Sequence, residues 1–439
     1  MSGTTLGLVG FATLLFLMAV RIPIALAMFL VGLAGMFSMI GVTGTLHSIN
    51  EVAYHEFSSY SLTIIPLFLL MSQFAVHAGL STSLFNAARA WLGHRRGGLA
   101  MATVGACGGF GAISGSSLAT AATMTQVALP EMRKAGYAPG LATGVLAAGG
   151  TLGILIPPSV VLVVYAVLAN QNIVKLFTAA IIPGILAILG YIAAVTIYVR
   201  LYPESAPVQP RQSLRARLAS LLHVWPVIII FGLVIGGIYS GIFTPTEGAA
   251  VGAVGTGLVA LLRGTLSRVA MRNAFLGTAT GTGMIFMIVL GAGVFNTFLA
   301  LTQVPQEAAA WVGTLPVNPW TIIAIILVVY IILGCVMDTL SMILLTVPIF
   351  YPIILVLDLG MPPDEVGLWF GILVLIVVEM GMITPPVGLN LFIINSMARD
   401  VPISKTMKGV LPFLMTDIIR AGLLFLFPAI ILWLVRVAH

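Results

Sequence analysis

The chain has 439 residues, of which 60% belong to the apolar set AVILMFWYC and only 7% are charged. A water-soluble domain carries about a quarter charged residues, so a water-facing exterior is excluded and lipid must solvate most of the surface. The net charge of +6 does not indicate nucleic-acid binding, because the basic residues sit singly or in short clusters between long apolar runs, as membrane-topology signals do.

A helix needs about 20 apolar residues to cross a bilayer. In chain order, crossings are predicted over 5–20, 22–42, 61–78, 140–170, 175–199, 222–241, 246–262, 274–300, 366–398 and 408–436. The first run has no polar leader and no small-residue cleavage site before it, so it reads as a retained helix. Two regions, 97–135 and 319–364, are too long for one helix, and small or polar residues interrupt each near its middle. Both read as helical hairpins that enter and leave on the same side. The stretches 43–60, 301–318 and 357–365 are left as outside loops. Cys107 and Cys335 lie in apolar segments with no metal-ligand neighbour at close spacing, which argues against a disulfide or a metal site.

With the N-terminus outside, 16 of the 19 Lys and Arg residues fall on the cytoplasmic side, from Arg21 to Lys408, and the exceptions are Lys175, Arg420 and Arg436. A single crossing at 97–135 would invert every later loop. Both termini are thus expected outside.

The chain then divides near residue 205 into two halves of opposite orientation, 1–205 and 206–439. Each reads as three crossings, a hairpin, a long interrupted crossing and a final crossing. Gly153-Ile154-Leu155-Ile156-Pro157-Pro158 matches Gly381-Met382-Ile383-Thr384-Pro385-Pro386, and Pro130 is paired with Pro348. Inverted repeats with interrupted helices are the signature of secondary transporters. The fold class read from the sequence is therefore an all-α polytopic membrane protein, an inverted repeat with two re-entrant helical hairpins and two broken helices.

The interruptions carry the chemistry. Paired prolines remove backbone donors and clustered glycines weaken helix, so carbonyl oxygens are freed at depth and can serve a hard cation such as sodium. The first hairpin tip offers Ser114, Ser116 and Ser117. The second offers Asp338, the one acid between Glu307 and Asp358. An ionisable residue at such depth is a functional candidate, although Asp338 could also cap the second arm of its hairpin. Each serine could equally bond the preceding helical turn. Glu379, aligned with Thr151, reads either as a proton carrier or as a hydrogen-bonded interior group.

Taken together, these stretches resemble the large membrane subunit of tripartite ATP-independent periplasmic (TRAP) transporters, the DctM type. The matching segments are Arg21-Ile-Pro-Ile-Ala-Leu-Ala, Gly111-Ala-Ile-Ser-Gly-Ser-Ser-Leu-Ala-Thr-Ala-Ala, Gly150-Thr-Leu-Gly-Ile-Leu-Ile-Pro-Pro-Ser, Thr244-Pro-Thr-Glu-Gly-Ala-Ala-Val-Gly-Ala, Met337-Asp-Thr and Thr384-Pro-Pro-Val-Gly-Leu-Asn-Leu-Phe. They span most of the chain and are specific jointly.

The resemblance implies a sodium-driven elevator in a bacterial inner membrane, binding two or more Na+ and importing a small organic acid such as a C4-dicarboxylate, a sugar acid or sialic acid. A transport domain, 97–199 and 319–436, would slide against a scaffold, 1–78 and 222–300. A periplasmic binding protein would deliver the substrate, and a four-helix membrane subunit, expected as a separate chain, would enlarge the scaffold. One sodium site would use Ser114 and Ser116 with carbonyls of Gly153, Ile156 and Pro158. By repeat symmetry, a second would use Gly334 and Asp338 with Gly381, Thr384 and Pro386. Ser117 and Thr339 are the candidate substrate contacts.

A single-component sodium/dicarboxylate carrier is the nearest rival, but such carriers usually show Ser-Asn-Thr at both tips and neither tip has it here. A serine protease needs a histidine base beside its serine, and His47, His55, His77, His94, His223 and His439 lie near span ends or in loops. No enzymatic role is expected. Nor does a ring of charges or a carbonyl filter suggest a passive channel.

Overall fold

Capping residues, glycines and prolines cut the apolar chain into helices. The structure, a computed structural model, describes residues 2–438 and shows no β-strand among them. His439 lies outside the described residues.

The first half contains α1 (Gly3–Ala19), α2 (Ile24–Ser58), α3 (Ile64–His77), α4 (Leu80–Leu92), α5 (Gly98–Ser114), α6 (Ser117–Lys134), α7 (Pro139–Leu155), α8 (Val160–Leu168) and α9 (Ile173–Leu201). The second contains α10 (Leu214–Leu222), α11 (Trp225–Tyr239), α12 (Pro245–Leu262), α13 (Arg268–Thr302), α14 (Val304–Thr314), α15 (Pro319–Gly334), α16 (Thr339–Leu355), α17 (Pro363–Ile383), α18 (Leu389–Met397), α19 (Ile403–Leu426) and α20 (Pro428–Ala438).

The predicted hairpins are α5–α6 and α15–α16. Their arms are 16 to 18 residues long, which at about 1.5 Å per residue falls short of a hydrocarbon core about 30 Å thick. The broken helices are α7–α8, bent by 47°, and α17–α18. The Pro157-Pro158 and Pro385-Pro386 bonds are both cis.

Helices α2, α3, α12 and α13 pack on one another, with α11 against α12. In a second group α7 lies among α5, α6 and α19, and α17 contacts α15, α16 and α19. Every residue of α17 from Val366 to Ile383 is buried, which is why this segment is apolar all round rather than striped. Contacts of α3 with α5 and of α13 with α16 join the groups.

Several boundaries differ from expectation. The predicted loop 43–60 is mostly helix, because α2 continues to Ser58 through a break at Gly41, whose φ of 70° a residue with a Cβ rarely adopts. Beyond the break, Thr45 is buried and Val52 packs near Gly293 of α13, so tertiary contact holds a segment too polar to read as a crossing. The predicted loop 301–318 likewise contains α14. The crossing 408–436 is two helices, divided at Phe427 where Pro428 opens α20. Counted from the N-caps Ser116 and Asp338, the partner of Pro130 is Pro352, not Pro348, each lying 14 residues beyond its cap.

Two topology exceptions also have a local cause. Arg420 is buried in an ion pair with Asp417 at 2.8 Å. Arg436 makes two bonds to Glu365, at 2.8 and 2.6 Å.

Candidate functional site

Each hairpin tip sits in the break of the broken helix from its own half. In the first half, Gly115 ends α5 with φ 61°, and Ser116, in extended conformation, caps α6 by accepting from Ala119 N at 3.4 Å. A Cβ on Gly115 would stand 3.3 Å from the Pro158 carbonyl oxygen. One arm back, a Cβ on Gly111 would come within 2.7 Å of Gly153 Cα, a backbone approach that only glycine permits. In the second half, a Cβ on Gly381 would lie 2.7 Å from Gly334 Cα. There Gly388 N donates to Cys335 O at 3.2 Å, tying the break to the tip.

Most of the oxygens expected at the breaks are free, but the Gly381 carbonyl accepts from Thr384 N at 3.0 Å. The carbonyls of Ile156, Pro157 and Pro158, and those of Thr384, Pro385, Pro386 and Val387, accept no hydrogen bond among the described residues. Beside the first set, Ser114 Oγ lies 2.6 Å from Thr120 Oγ1 and 3.5 Å from Ser116 O. Beside the second, Thr384 Oγ1 donates back to Met380 O. Asp338 caps α16, accepting from Ser341 N at 3.1 Å and from the Ser341 hydroxyl.

No cluster of three His, Cys, Asp or Glu side chains able to hold a metal occurs among the described residues. Any cation here would rely on main-chain and hydroxyl oxygens with at most Asp338. That donor set suits a hard monovalent cation rather than zinc.

Glu379 joins the two tips. It is 2% exposed, and its Oε1 accepts from Ser117 Oγ at 3.0 Å and from Thr339 Oγ1 at 2.8 Å. Ser117 and Thr339, expected as substrate contacts, are thus held by one carboxylate oxygen. Both also line a cavity of about 310 Å³ with Ser116 and Asp338, closed by Leu69 of α3 and Met284 of α13. The cavity therefore lies between the tips and the other helical group. No Lys, Arg or His lines it among the described residues.

A second buried network lies alongside. Thr151 Oγ1 is 2.9 Å from Tyr191 Oη, and Tyr191 donates to Asp417 Oδ2 at 2.7 Å. Asn390 Nδ2, just beyond the second break, reaches Ala147 O of α7 at 3.3 Å. Thr120, Tyr191, Asp417 and Asn390 were not foreseen from the sequence. Asp417 carried the one available signal, an acid three residues before a basic residue inside an apolar run.

Paired hairpins seated in broken helices define a polytopic secondary transporter. The family model described as tripartite ATP-independent periplasmic transporter, DctM component, matches residues 11–430. The chain is 39% identical to the C4-dicarboxylate TRAP transporter large permease protein DctM of Pseudomonas aeruginosa over 87% of this chain and 88% of that one. It is 32% identical to the Rhodobacter capsulatus protein of the same name over 96% and 97%. Relatives 33%, 29% and 29% identical are named for isethionate, sialic acid and ectoine, and the isethionate protein bears the name DctMQ. The Alcanivorax borkumensis YdaH transporter shares the fold, with a TM-score of 0.63 at 15% identity over 88% of this chain and 90% of that one. The chain belongs to the TRAP transporter family as its large permease subunit, a multi-pass membrane protein and not an enzyme.

Proposed function

We propose that this permease is sodium-coupled and imports a small organic acid delivered by a periplasmic binding protein. The observation that carries the reading is the seating of each tip in its own break, where unbonded carbonyls meet hydroxyls. Ser114, Ser116, Gly153, Ile156 and Pro158 would hold one Na+. Gly334, Asp338, Gly381, Thr384 and Pro386 would hold a second, and bound sodium would supply cationic charge at both breaks.

A carboxylate in the cavity meets no cationic side chain. Its charge would be balanced by sodium and by the N-termini of α6 and α16, which open at Ser117 and Thr339. The loaded region could then cross the bilayer centre near neutrality, avoiding about 2.3 kcal/mol per uncompensated charge per 100 mV. Residues 97–199 and 319–436 form the moving body in this reading, and 1–78 with 222–300 the scaffold, enlarged by a separate four-helix subunit. Both termini face outside the inner membrane. The varied ligands named for the relatives support specificity residing in the binding protein.

The test is reconstitution of the chain with its small subunit and candidate binding proteins, using labelled acids with and without a sodium gradient. Uptake requiring both sodium and the binding protein is expected. Uptake that ignores sodium and follows a pH gradient would overturn the coupling. Sodium-driven uptake without any binding protein would restore the single-component carrier.

A further inference from the structure

Between α4 and α5 the chain turns through Gly93-His94-Arg95-Arg96-Gly97, and α10 packs against α4 at this end of the bundle. The packing brings Arg217 onto the turn. Its guanidinium lies 5.9 Å from the centre of the Trp91 ring, its Nη2 is 3.0 Å from His94 Nδ1, and the Trp91 indole donates to the Arg217 carbonyl at 3.3 Å. Arg217 is only 5% exposed, yet its Nε has no hydrogen-bond partner.

Arg95 and Arg211 act with Arg217 on the same His94 imidazole, Arg96 adjoins Arg95 in the turn and Arg215 opens the first turn of α10; all four are exposed. None of these five arginines is in an ion pair among the described residues. Desolvation, followed by the charges of Arg217, Arg211 and Arg95, holds the His94 imidazole below its ordinary value, and no acid offsets them. Glu131 is engaged with Arg89 and Lys134, and Glu204 of the linker makes no ion pair among the described residues. A concentration of like charge with one member desolvated is unfavourable without a counterion.

An apolar stripe begins at the same place. Leu214, Leu218, Leu221 and Leu222 of α10 are 43–71% exposed, and their spacing puts them on one helix face. The stripe continues over Trp225, Ile228 and Ile229 of α11, which are 51%, 63% and 48% exposed, across a 45° bend. An arginine-bearing helix with a leucine face, bent from a crossing and flanked by tryptophan, has the chemistry of a bilayer interface.

We propose that this corner is a docking site for an anionic phospholipid, with its phosphate among Arg95, Arg211, Arg215 and Arg217 and its acyl chains along the α10–α11 stripe. Charge complementarity selects this occupant, since the same surface offers unpaired cations at the end of an apolar track.

The test is native mass spectrometry of the purified full chain titrated with phosphatidylglycerol or phosphatidylcholine. The wild type is expected to retain phosphatidylglycerol preferentially. Each basic group near an anionic surface contributes about fivefold in affinity, so Arg95→Gln/Arg211→Gln/Arg215→Gln should lower retention about a hundredfold. Arg211→Gln/Arg215→Gln, confined to the exposed α10 segment, should lower it about thirtyfold. Arg268→Gln/Arg272→Gln, exposed on α13, should leave it within about twofold, because that pair lies outside the cluster. Equal retention of both lipids by the wild type, undiminished retention in the triple variant, or an equal loss in the α13 control would each overturn the proposal. None of these readouts depends on sodium coupling or on the transported acid.

Discussion

Ser117 and Thr339 open the second arms of hairpins from opposite halves, and a single oxygen, Glu379 Oε1, accepts from both. Removing one hydroxyl leaves the buried carboxylate one donor, whereas removing both leaves it none. Ser117→Ala and Thr339→Val should therefore each cost about 1–3 kcal/mol, the worth of a buried hydrogen bond. The threonine hydroxyl also lies 2.9 Å from Met382 Sδ, a contact that Thr339→Val removes as well. The double variant should lose more than the sum of the singles, by about 0.5–3 kcal/mol, as expected for groups sharing one partner. In a Glu379→Leu background the acceptor is gone, and neither hydroxyl deletion should carry a further cost. The assay is thermal unfolding in one detergent followed by intrinsic fluorescence, to which the fully buried Trp369 contributes. Additive losses that persist unchanged in the Glu379→Leu background would refute the bridge between the tips.

Asp338→Asn should keep the N-cap, because asparagine caps nearly as well as aspartate, so the unfolding temperature should hold. If the carboxylate also serves the cation, sodium half-activation of reconstituted uptake should rise about tenfold, which is about 1.4 kcal/mol of binding, and unaltered activation would leave Asp338 a cap alone. Arg420→Met strands the buried Asp417 and should destabilise by about 3–5 kcal/mol. Asp417→Leu/Arg420→Met should recover much of that loss in the same unfolding assay, and a double variant no more stable than the single would show that the stranded charge is not its source.

Apolar run length, read with the small, polar and paired-proline interruptions and the placement of Lys and Arg, located both hairpins and both broken helices, because lipid demands helices whose backbone is satisfied and leaves few ways to break one. It failed where helix is held by neighbours. Residues 43–58 carry His47, Glu51, His55 and Glu56, too polar to read as a crossing, yet they continue α2 along α13. The candidate ion ligands were legible because Gly, Pro, Ser and Thr sit in short motifs whose local conformation frees oxygens. Glu379 was visible as a buried acid, but its partners were not. Ser117 is 262 residues away and Thr339 is 40, and no local pattern encodes such a meeting.

The amino-acid sequence determined the solvent, the helical class, the duplicated interruptions and the atoms each interruption exposes, since all of these follow from residue type and near-neighbour spacing. Only the tertiary structure decided which exposed atoms share a site. It brought the tips from opposite halves onto one carboxylate, withdrew Arg420 from the topology signal by pairing it with Asp417, and laid Arg217 against Trp91 and His94 at one corner. Those outcomes depend on how helices distant in sequence pack against one another, and packing is set by the whole set of surfaces rather than by any one segment.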